Sequence, residues 1–301
     1  MTVLEAIQKS ADFLAKKSVE PARLQAELLL AHQLKMPRMK LYLNFDRVLA
    51  TAETDGLREL VKRRAAREPL QHITGSTSFC GFEIAVNRHA LIPRPETELL
   101  AELGGKFLNQ LSEGRVPRVP NPKDENGNSQ RSSLRVLDFG TGTGCIAIAL
   151  AVKCPGAKIT ALDISADALA LAQQNALKNK GAEQIEFLLG DGFAALPEKS
   201  QFDLIVSNPP YIPSAEIATL EPEVKDFDPR AALDGGADGL DFYRMFAAQA
   251  KSFLKPDGKI MVEFGDGQAD AVRKIFEAEK WVVEAVHEDY SQRARILVAK
   301  F

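Results

Sequence analysis

The sequence reads RVLDFGTGTGCIAIAL at residues 135–150, where a short apolar run, three glycines and a helical apolar pattern follow one another. The apolar run predicts a strand, and the residues from Cys145 onward predict a helix. Gly140, Gly142 and Gly144 would let the backbone approach a ligand closely, and the N-terminus of the following helix favours negative charge. We therefore predict a ligand-binding strand–loop–helix unit. For this stretch alone, a glycine-rich turn that binds nothing is the alternative.

Further strand and helix patterns alternate from Leu134 to the end of the chain. Helical patterns follow the first, second and fifth strands, and another covers 241–254. Such alternation predicts a parallel sheet with helices on both faces. The last two strands are joined only by HEDYSQRA, which predicts an antiparallel hairpin at the end of the sheet. The predicted strands are 135–139, 158–162, 185–189, 202–207, 258–264, 281–288 and 295–300.

The residues before this region predict a different architecture. Residues 1–73 read as a small helical bundle: Thr2 and Glu5 form a capping box, and Leu24, Leu28 and Ala31 make one apolar stripe of a second helix. Residues 74–94 predict a β-hairpin linker around Gly81, and residues 95–301 the α/β domain, which starts with a helix ending near residue 111. Residues 112–133 contain three prolines and only two apolar side chains, which predicts a mobile insert.

Composition and charge narrow the class of protein. Of the 301 residues, 45% are apolar and 26% charged, which is typical of a globular chain and excludes a disulfide scaffold. Cys80, Cys145 and Cys154 form no C-x-x-C pair and the four histidines are scattered, so we expect no metal site. No apolar run reaches the ~18 residues of a membrane span, and we expect a cytoplasmic, monomeric protein without membrane partners.

Charge is distributed unevenly along the chain. Residues 1–73 carry 13 Lys and Arg against 9 Asp and Glu, whereas residues 74–301 carry 25 against 32. An acidic α/β domain disfavours direct binding of nucleic acid. Lys62, Arg63, Arg64 and Arg67 could steer an acidic partner, although a solvated helix face explains them as well.

The glycine spacing indicates the ligand. Its G-x-G-x-G pattern resembles motif I of S-adenosylmethionine (SAM) methyltransferases more than the G-x-G-x-x-G of a dinucleotide site. Asp163 ends the second strand, where a carboxylate can bind both ribose hydroxyls; capping of the next helix by Asp163 or Ser165 is the alternative. Asp191 could accept from the adenine amino group, or only form a turn, and Gly192 beside it would line the adenine pocket.

The segment NPPY at residues 208–211 follows the fourth strand and carries the strongest functional signal. The Asn208 side-chain oxygen and the Pro209 carbonyl can each accept one N–H of a target NH₂ group. Two acceptors favour a pyramidal nitrogen and aim its lone pair at a sulfonium methyl group. Pro209 holds Asn208 extended, and Tyr211 offers a flat face for stacking on an amide or base. Taken alone, Pro-Pro could simply end a strand and Tyr211 could be core.

Glycine loop, acidic strand end and NPPY, in this order, resemble a class I SAM-dependent amino- or amide-nitrogen methyltransferase. Four further blocks resemble the peptide chain release factor N5-glutamine methyltransferase (HemK/PrmC) family: EPLQHITG at 68–75, FCGFEIAVNRHALIPRPETE at 79–98, ALDGGADGLDFYR at 232–244 and EFGDGQ at 263–268. The resemblance covers nearly the whole chain except 112–133. His72, where the family usually has an aromatic residue, and FDPRAAL at 227–233 depart from its pattern.

The resemblance implies a Rossmann-like sheet of seven strands with the last antiparallel, and an N-terminal helical domain that docks a class I release factor. It implies methylation of the glutamine of that factor's GGQ motif, with S-adenosylhomocysteine as the second product. Asn208, Pro209 and Tyr211 would be catalytic, and Asn208, Pro209, Pro210 and Tyr211 would hold the glutamine. SAM would be held by Gly140, Thr141, Gly142, Thr143, Gly144, Asp163, Asp191, Gly192 and Asn208.

Some interpretations stay open at this point. Arg94, Glu96 and Glu98 could line the entrance of the site or serve only the start of a helix. The same NPPY chemistry would serve a nucleic-acid methyltransferase acting on adenine N6 or guanine N2. A module that binds SAM without turnover is a third hypothesis, and an NAD oxidoreductase is disfavoured by the glycine spacing and leaves NPPY unexplained.

Overall fold

A computed structural model of the chain describes residues 1–114 and 133–301, and it divides into two compact units. The first unit comprises residues 1–76 together with 219–227, and the second comprises residues 77–218 together with 228–301. Most of the predicted insert, residues 115–132, lies outside the described residues. Its first three residues, 112–114, are helical, so the helix before it continues beyond the predicted end.

The helices, in chain order, are α1 (Val3–Ala15), α2 (Ala22–Gln33), α3 (Arg38–Tyr42), α4 (Thr51–Ala65), α5 (Leu70–Thr74), α6 (Thr97–Gly114), α7 (Cys145–Lys153), α8 (Ala166–Lys178), α9 (Pro222–Lys225), α10 (Asp241–Gln249) and α11 (Ala269–Ala278). The strands are β1 (Ser76–Phe79), β2 (Phe82–Ala85), β3 (Leu134–Phe139), β4 (Ala157–Asp163), β5 (Ile185–Leu189), β6 (Phe202–Ser207), β7 (Leu254–Glu263), β8 (Val282–Glu288) and β9 (Ala294–Lys300).

The first unit is helical, as predicted. The capping box at the start of α1 is present: the Thr2 hydroxyl accepts from the Glu5 backbone N–H at 3.2 Å, and the Glu5 carboxylate accepts from the Thr2 N–H at 3.0 Å. The predicted stripe of α2 is wrong at Leu24, which is exposed, whereas Ala31 is buried. The three consecutive leucines at 28–30 allow two overlapping apolar stripes, and the buried one contains Ala22, Ala26, Leu29 and Leu30.

The basic cluster of Lys62, Arg63, Arg64 and Arg67, at the end of α4 and just beyond it, belongs to this unit and separates into two kinds of side chain. Lys62 pairs with Glu59 on the surface and the exposed Arg63 pairs with Glu68, so these two form the solvated face that the sequence allowed. Arg64 is buried, and its Nη2 lies 2.6 Å from the Glu223 carboxylate. Arg67 binds Glu223 and Glu221, each at 2.6 Å. The acidic partner of Arg64 and Arg67 is therefore the chain's own segment 219–227.

The predicted hairpin is confirmed as the two-stranded sheet β1–β2. Its connection is the dipeptide Cys80-Gly81, with φ of 49° and 82°. Two consecutive residues with positive φ characterise the type I′ turn, whose twist matches that of the paired strands. Residues 77–94 of the predicted linker lie in the second unit.

The second unit contains the predicted seven-stranded sheet, with strand order β5-β4-β3-β6-β7-β9-β8. The pairs from β5 to β7 are parallel, whereas β9 is antiparallel to both β7 and β8, as expected for a last strand that forms a hairpin. The helix predicted to reach residue 254 ends at Gln249 and continues as a 3₁₀ turn, Ala250–Phe253, and β7 begins at Leu254.

Alternating strand residues supply two apolar cores, one on each face of the sheet. Val136 of β3 packs into the core that contains α6 and α7, and its neighbour Leu137 packs into the core that contains α10 and α11. The order of the strands reverses between β3 and β6, and ligands bind parallel α/β sheets at the carboxyl ends of the strands beside such a point. In residues 1–114 and 133–301, no helix combines the length and apolar character needed to cross a bilayer.

Candidate functional site

The glycine loop follows β3 and precedes α7, as predicted. Gly140, Gly142 and Gly144 all have positive φ, at 75°, 54° and 79°. A Cβ at Gly144 would lie 3.0 Å from the Ala172 side chain, so Gly144 is required for packing against α8. A Cβ at Gly140 would meet no atom within 4 Å, and one at Gly142 only the Ala90 Cβ, at 3.9 Å. The first two glycines therefore leave open space in front of the backbone, which fits a ligand cradle.

Asp138, at the end of β3, organises this loop, and sequence reasoning did not assign it a role. Its buried Oδ2 accepts hydrogen bonds from the Thr141 hydroxyl at 2.7 Å and from the Ala147 backbone N–H at 3.1 Å. Burial raises the pKa of this carboxyl to about 7, and the two hydrogen bonds oppose that rise. Thr141 and Thr143 are both buried, so these predicted cofactor residues face the protein interior.

The predicted acidic residues lie at the ends of the neighbouring strands. The Asp163 carboxylate accepts from the Gly142 N–H at 2.8 Å and from the Ser165 N–H at 2.9 Å. Ser165 itself caps α8, so capping does not account for Asp163. Asp191 is exposed and makes no capping bond to the turn that it precedes, and Gly192 has a φ of 61°. The Gly190 N–H donates to the Asp163 carbonyl at 3.0 Å, which brings these two strand ends together.

The NPPY segment begins directly beside the glycine loop. The Ser207 hydroxyl donates to the Phe139 carbonyl at 2.7 Å, and each of these residues immediately precedes one of the two motifs. Asn208 is half-buried, and its Nδ2 donates to the Thr97 hydroxyl oxygen at 2.9 Å. Its Oδ1 is buried and has no hydrogen-bond partner within the described residues. The amide therefore offers an acceptor with unused capacity at the carboxyl edge of the sheet.

Tyr211 is held in place by the family blocks at 232–244 and 263–268. The Gln268 side chain donates to the Tyr211 carbonyl at 2.9 Å and accepts from the Gly265 N–H at 2.9 Å. A Cβ at Gly265 would lie 2.9 Å from the Tyr211 ring, and one at Gly235 would lie 2.8 Å from the Tyr211 Cα. These two glycines are therefore needed because the tyrosine packs directly against their backbone.

Electrostatics around Tyr211 are set by buried groups. Burial raises the pKa of the Tyr211 phenol, and the nearby Glu263 carboxylate adds to the rise. Burial also raises the pKa of Glu263 to about 7, while a hydrogen bond from Thr97 and the charge of Arg295 oppose this. Thr97, Glu263 and Gln268 were not assigned by sequence reasoning, although each lies in a block that resembles the family.

Two of the three ambiguous residues of the LIPRPETE block, Arg94 and Glu98, have structural partners. Arg94 pairs with the buried Asp228. The Glu98 carboxylate accepts from the backbone N–H of Cys80 in the hairpin turn at 2.7 Å. Arg94 precedes α6, so its contact is not helix-start chemistry, whereas Glu98 lies in the first turn of α6 and so also fits the helix-start alternative. Cys145 is buried, and burial raises the pKa of its thiol, which fits a packing residue.

The predicted SAM residues and the predicted substrate residues thus meet at one sheet edge. The open glycine turn, the helix N-terminus and the Asp163 carboxylate form a set of groups that fits SAM. Within 1–114 and 133–301, no three or more His, Cys, Asp and Glu side chains are grouped so that they could hold a metal ion.

Comparison with known proteins agrees with this geometry. Residues 5–75 match the PrmC N-terminal domain and residues 130–297 match a methyltransferase domain. The release factor glutamine methyltransferase of Geobacter sulfurreducens is 43% identical over 91% of this chain and 88% of its own length. That of Rhodospirillum rubrum is 41% identical over 94% of this chain and 80% of its own length.

Among solved structures, the hMettl16 catalytic domain in complex with an MAT2A 3′UTR hairpin superposes with a TM-score of 0.54 over 81% of each chain. At 15% sequence identity, this likeness shows the shared fold alone. The close relatives share more than the fold, because their similarity extends through both the helical region and the sheet. The chain therefore belongs to the release factor glutamine methyltransferase family.

Proposed function

We propose that this protein transfers a methyl group from SAM to the side-chain amide nitrogen, N5, of the glutamine in the GGQ motif of a class I peptide chain release factor. The observation that carries the proposal is the Asn208 amide, whose buried Oδ1 has no partner in the described part of the chain. A primary amide entering the site would supply the N–H that this oxygen lacks.

The substrate residues act by holding and orienting the amide. Asn208 Oδ1 accepts one N–H of the glutamine, and the Pro209 carbonyl accepts the other. An amide nitrogen is a poor nucleophile while its lone pair is delocalised into the carbonyl group. Two acceptors on its hydrogens favour a pyramidal nitrogen and direct the lone pair out of the amide plane. The half-buried Tyr211 ring and Pro210 confine the amide from the sides.

SAM, when bound, supplies an electrophilic methyl group on a sulfonium. The backbone of Gly140–Gly144, Asp163, Asp191, Gly192 and Asn208 would hold it, with Thr141 and Thr143 acting through their backbone groups because their side chains are buried. Transfer would break the bond between the methyl carbon and the sulfonium sulfur, release S-adenosylhomocysteine and form the new C–N bond, and the nitrogen would then be positive and its proton acidic. Asn208 and Pro209 accept hydrogen bonds from the nitrogen, and the proton leaves to solvent, so no strongly basic side chain is required.

The helical unit provides the docking function in this proposal. We infer that residues 1–73 bind the body of the release factor while the α/β unit acts on the glutamine. Such a substrate places the reaction in the cytoplasm. We keep a monomeric enzyme without a metal, without membrane partners and without direct nucleic-acid contact as predictions of the proposal.

A methyltransfer assay with purified protein, release factor and labelled SAM tests the proposal. We expect one methyl group on the GGQ glutamine, located by mass spectrometry of the peptide, and none on a factor whose glutamine is replaced. Asn208→Ala should abolish transfer and keep SAM binding, which separates an enzyme from a SAM-binding module. Transfer to adenine or guanine in nucleic acid, with none to the factor, would support the alternative.

A further inference from the structure

Thr97 connects the first turn of α6 to the NPPY segment. It is 111 residues from Asn208 in sequence, yet its hydroxyl oxygen lies 2.9 Å from Asn208 Nδ2. Thr97 is buried, with 2% of its surface exposed. An Nδ2 atom can only donate, so the Thr97 oxygen must be the acceptor in this contact.

The hydroxyl proton of Thr97 has a second partner. It is hydrogen-bonded to the carboxylate of Glu263, the last residue of β7, which is also 2% exposed. Above its pKa of about 7, Glu263 is ionised and can only accept, so it then fixes Thr97 as the donor in that bond. A hydroxyl has one proton, and once this proton points at Glu263, only lone pairs remain for Asn208.

The directions of these hydrogen bonds determine whether the oxygen or the NH₂ group of Asn208 faces the substrate. If the Asn208 amide flipped, its oxygen would face a Thr97 oxygen that has no proton to give. Two hydrogen-bond acceptors would then face each other in the protein interior, at a free-energy cost on the order of that of a lost hydrogen bond. The flipped amide would also present an NH₂ group to the substrate NH₂, where an acceptor is needed.

We propose that Thr97 and Glu263 are positioning residues, which fix the Asn208 amide with its oxygen toward the glutamine. The inference rests on the proposed function, because it concerns the group that would accept the glutamine N–H. Neither residue touches the reacting atoms. Their action is exerted through Asn208, in the order Glu263, Thr97, Asn208 and substrate.

Substitutions at Thr97 test the proposal most directly. Thr97→Val keeps the shape of the side chain and removes its hydroxyl. We expect kcat to fall about 10- to 100-fold, because misorientation of a reacting group lowers reaction rates by factors of this size. SAM affinity should stay unchanged. Thr97→Ser keeps the hydroxyl and should restore kcat. Glu263→Gln, which can either donate or accept, should lower kcat less than Thr97→Val does. The matched control is Thr160→Val. Thr160 is also a buried threonine but lies in β4, and its substitution should leave kcat unchanged.

A second readout does not depend on turnover. The side-chain ¹H–¹⁵N signals of Asn208, identified by their loss in Asn208→Ala, should shift and exchange faster with water in Thr97→Val, and remain in place in Thr97→Ser. Unchanged Asn208 signals together with a kcat within twofold of the parent would overturn the proposal. If the parent protein fails to methylate the factor, the proposed function is wrong, and the Asn208 signals still decide whether Thr97 orients the amide.

Discussion

The Arg94 guanidinium lies 2.6 Å from the carboxylate of Asp228, whose side chain is completely buried. Arg94 belongs to the segment before α6, and Asp228 is the residue at which the chain re-enters the second unit. Burial raises the pKa of Asp228, and the positive charge of Arg94 opposes that rise. The pair therefore ties together two loops that enter the site region from opposite parts of the sequence.

Removing one member of this pair should be costly, because it leaves a buried charge without a partner. We expect Arg94→Ala to lower the free energy of unfolding by about 3 kcal/mol, measured by urea denaturation. The double variant with Asp228→Asn should recover most of that loss. Equal stability of the single and double variants would contradict the importance of the pair.

The pKa of Glu263 predicts a dependence of stability on pH. Its folded-state pKa of about 7 exceeds the ordinary value of 4.5, so the folded protein holds this proton more tightly than the unfolded chain does. This contribution to stability is complete below pH 4.5 and is lost as the pH rises through 7, by about 3 kcal/mol. Glu263→Gln should flatten the decline in unfolding free energy between pH 5 and pH 8.

Several charged or titratable groups face Glu263 and influence its titration. Arg295 lowers its pKa, Glu96 raises it, and the phenols of Tyr211 and Tyr243 interact with its charge. Asp138, also with a pKa of about 7, titrates in the same window. Asp138→Asn should therefore remove a separate part of the slope. A slope that is identical in the parent and both variants would show that neither carboxyl is responsible.

Asp163 and Ser165 offer a matched test of the cofactor site. Asp163→Asn should weaken SAM binding at least tenfold in isothermal titration, because the amide cannot accept from two ribose hydroxyls as a carboxylate does. Ser165→Ala should remove the α8 cap, cost about 1 kcal/mol of stability and leave SAM affinity unchanged. Loss of SAM affinity in Ser165→Ala alone would reverse the two assignments.

Adjacent arginines of α4 should behave very differently. Arg64 is buried and binds Gln25, the Glu68 carbonyl and Glu223, so Arg64→Ala should cost about 3 kcal/mol. Arg63 is 45% exposed, and Arg63→Ala should cost less than about 1 kcal/mol. Thermal unfolding of the two variants measures the contrast. Similar melting temperatures would contradict the distinction between the two side chains.

A steric substitution tests the packing around Tyr211. Gly265→Ala would place a Cβ 2.9 Å from both the Tyr211 ring and the Gln268 side-chain oxygen, so one of them has to move. We expect a lower kcat/KM for the release factor by at least tenfold, since a small displacement of a binding group is expensive. Gly156→Ala, where a Cβ would meet no atom within 4 Å, should leave kcat/KM unchanged.

The sequence predicted the fold well because its signals are local. The first four strands of the sheet in chain order, β3, β4, β5 and β6, were placed within one residue, since short apolar runs between turns identify buried strands. The antiparallel β9 was predicted from the short connection without a helix that precedes it, whereas the strand order is seen only in the structure. The α2 stripe was wrong at Leu24 because a run of three leucines fits more than one helical face. Local periodicity cannot decide which of these faces meets a neighbouring helix.

Parts of the site were beyond sequence reasoning because they depend on long-range contacts. Asn208 was singled out from its own motif, but its partner Thr97 is 111 residues away and lies in what read as helix-start chemistry. Arg64 and Glu223 are 159 residues apart, and only folding shows that one basic side chain in four is buried against an acidic one. The residue types were visible in the sequence, whereas their pairing was not.

The segment Thr219–Phe227 means that the helical unit is encoded by two separate stretches of sequence. An exchange of residues 1–76 alone between relatives would set a foreign α4 against the old Glu221 and Glu223. The residue at the buried position 64 would then face a carboxylate that comes from a different relative. The two stretches must therefore be inherited, or transplanted, together, and a substitution at 64 or 67 is best compensated at 221 or 223.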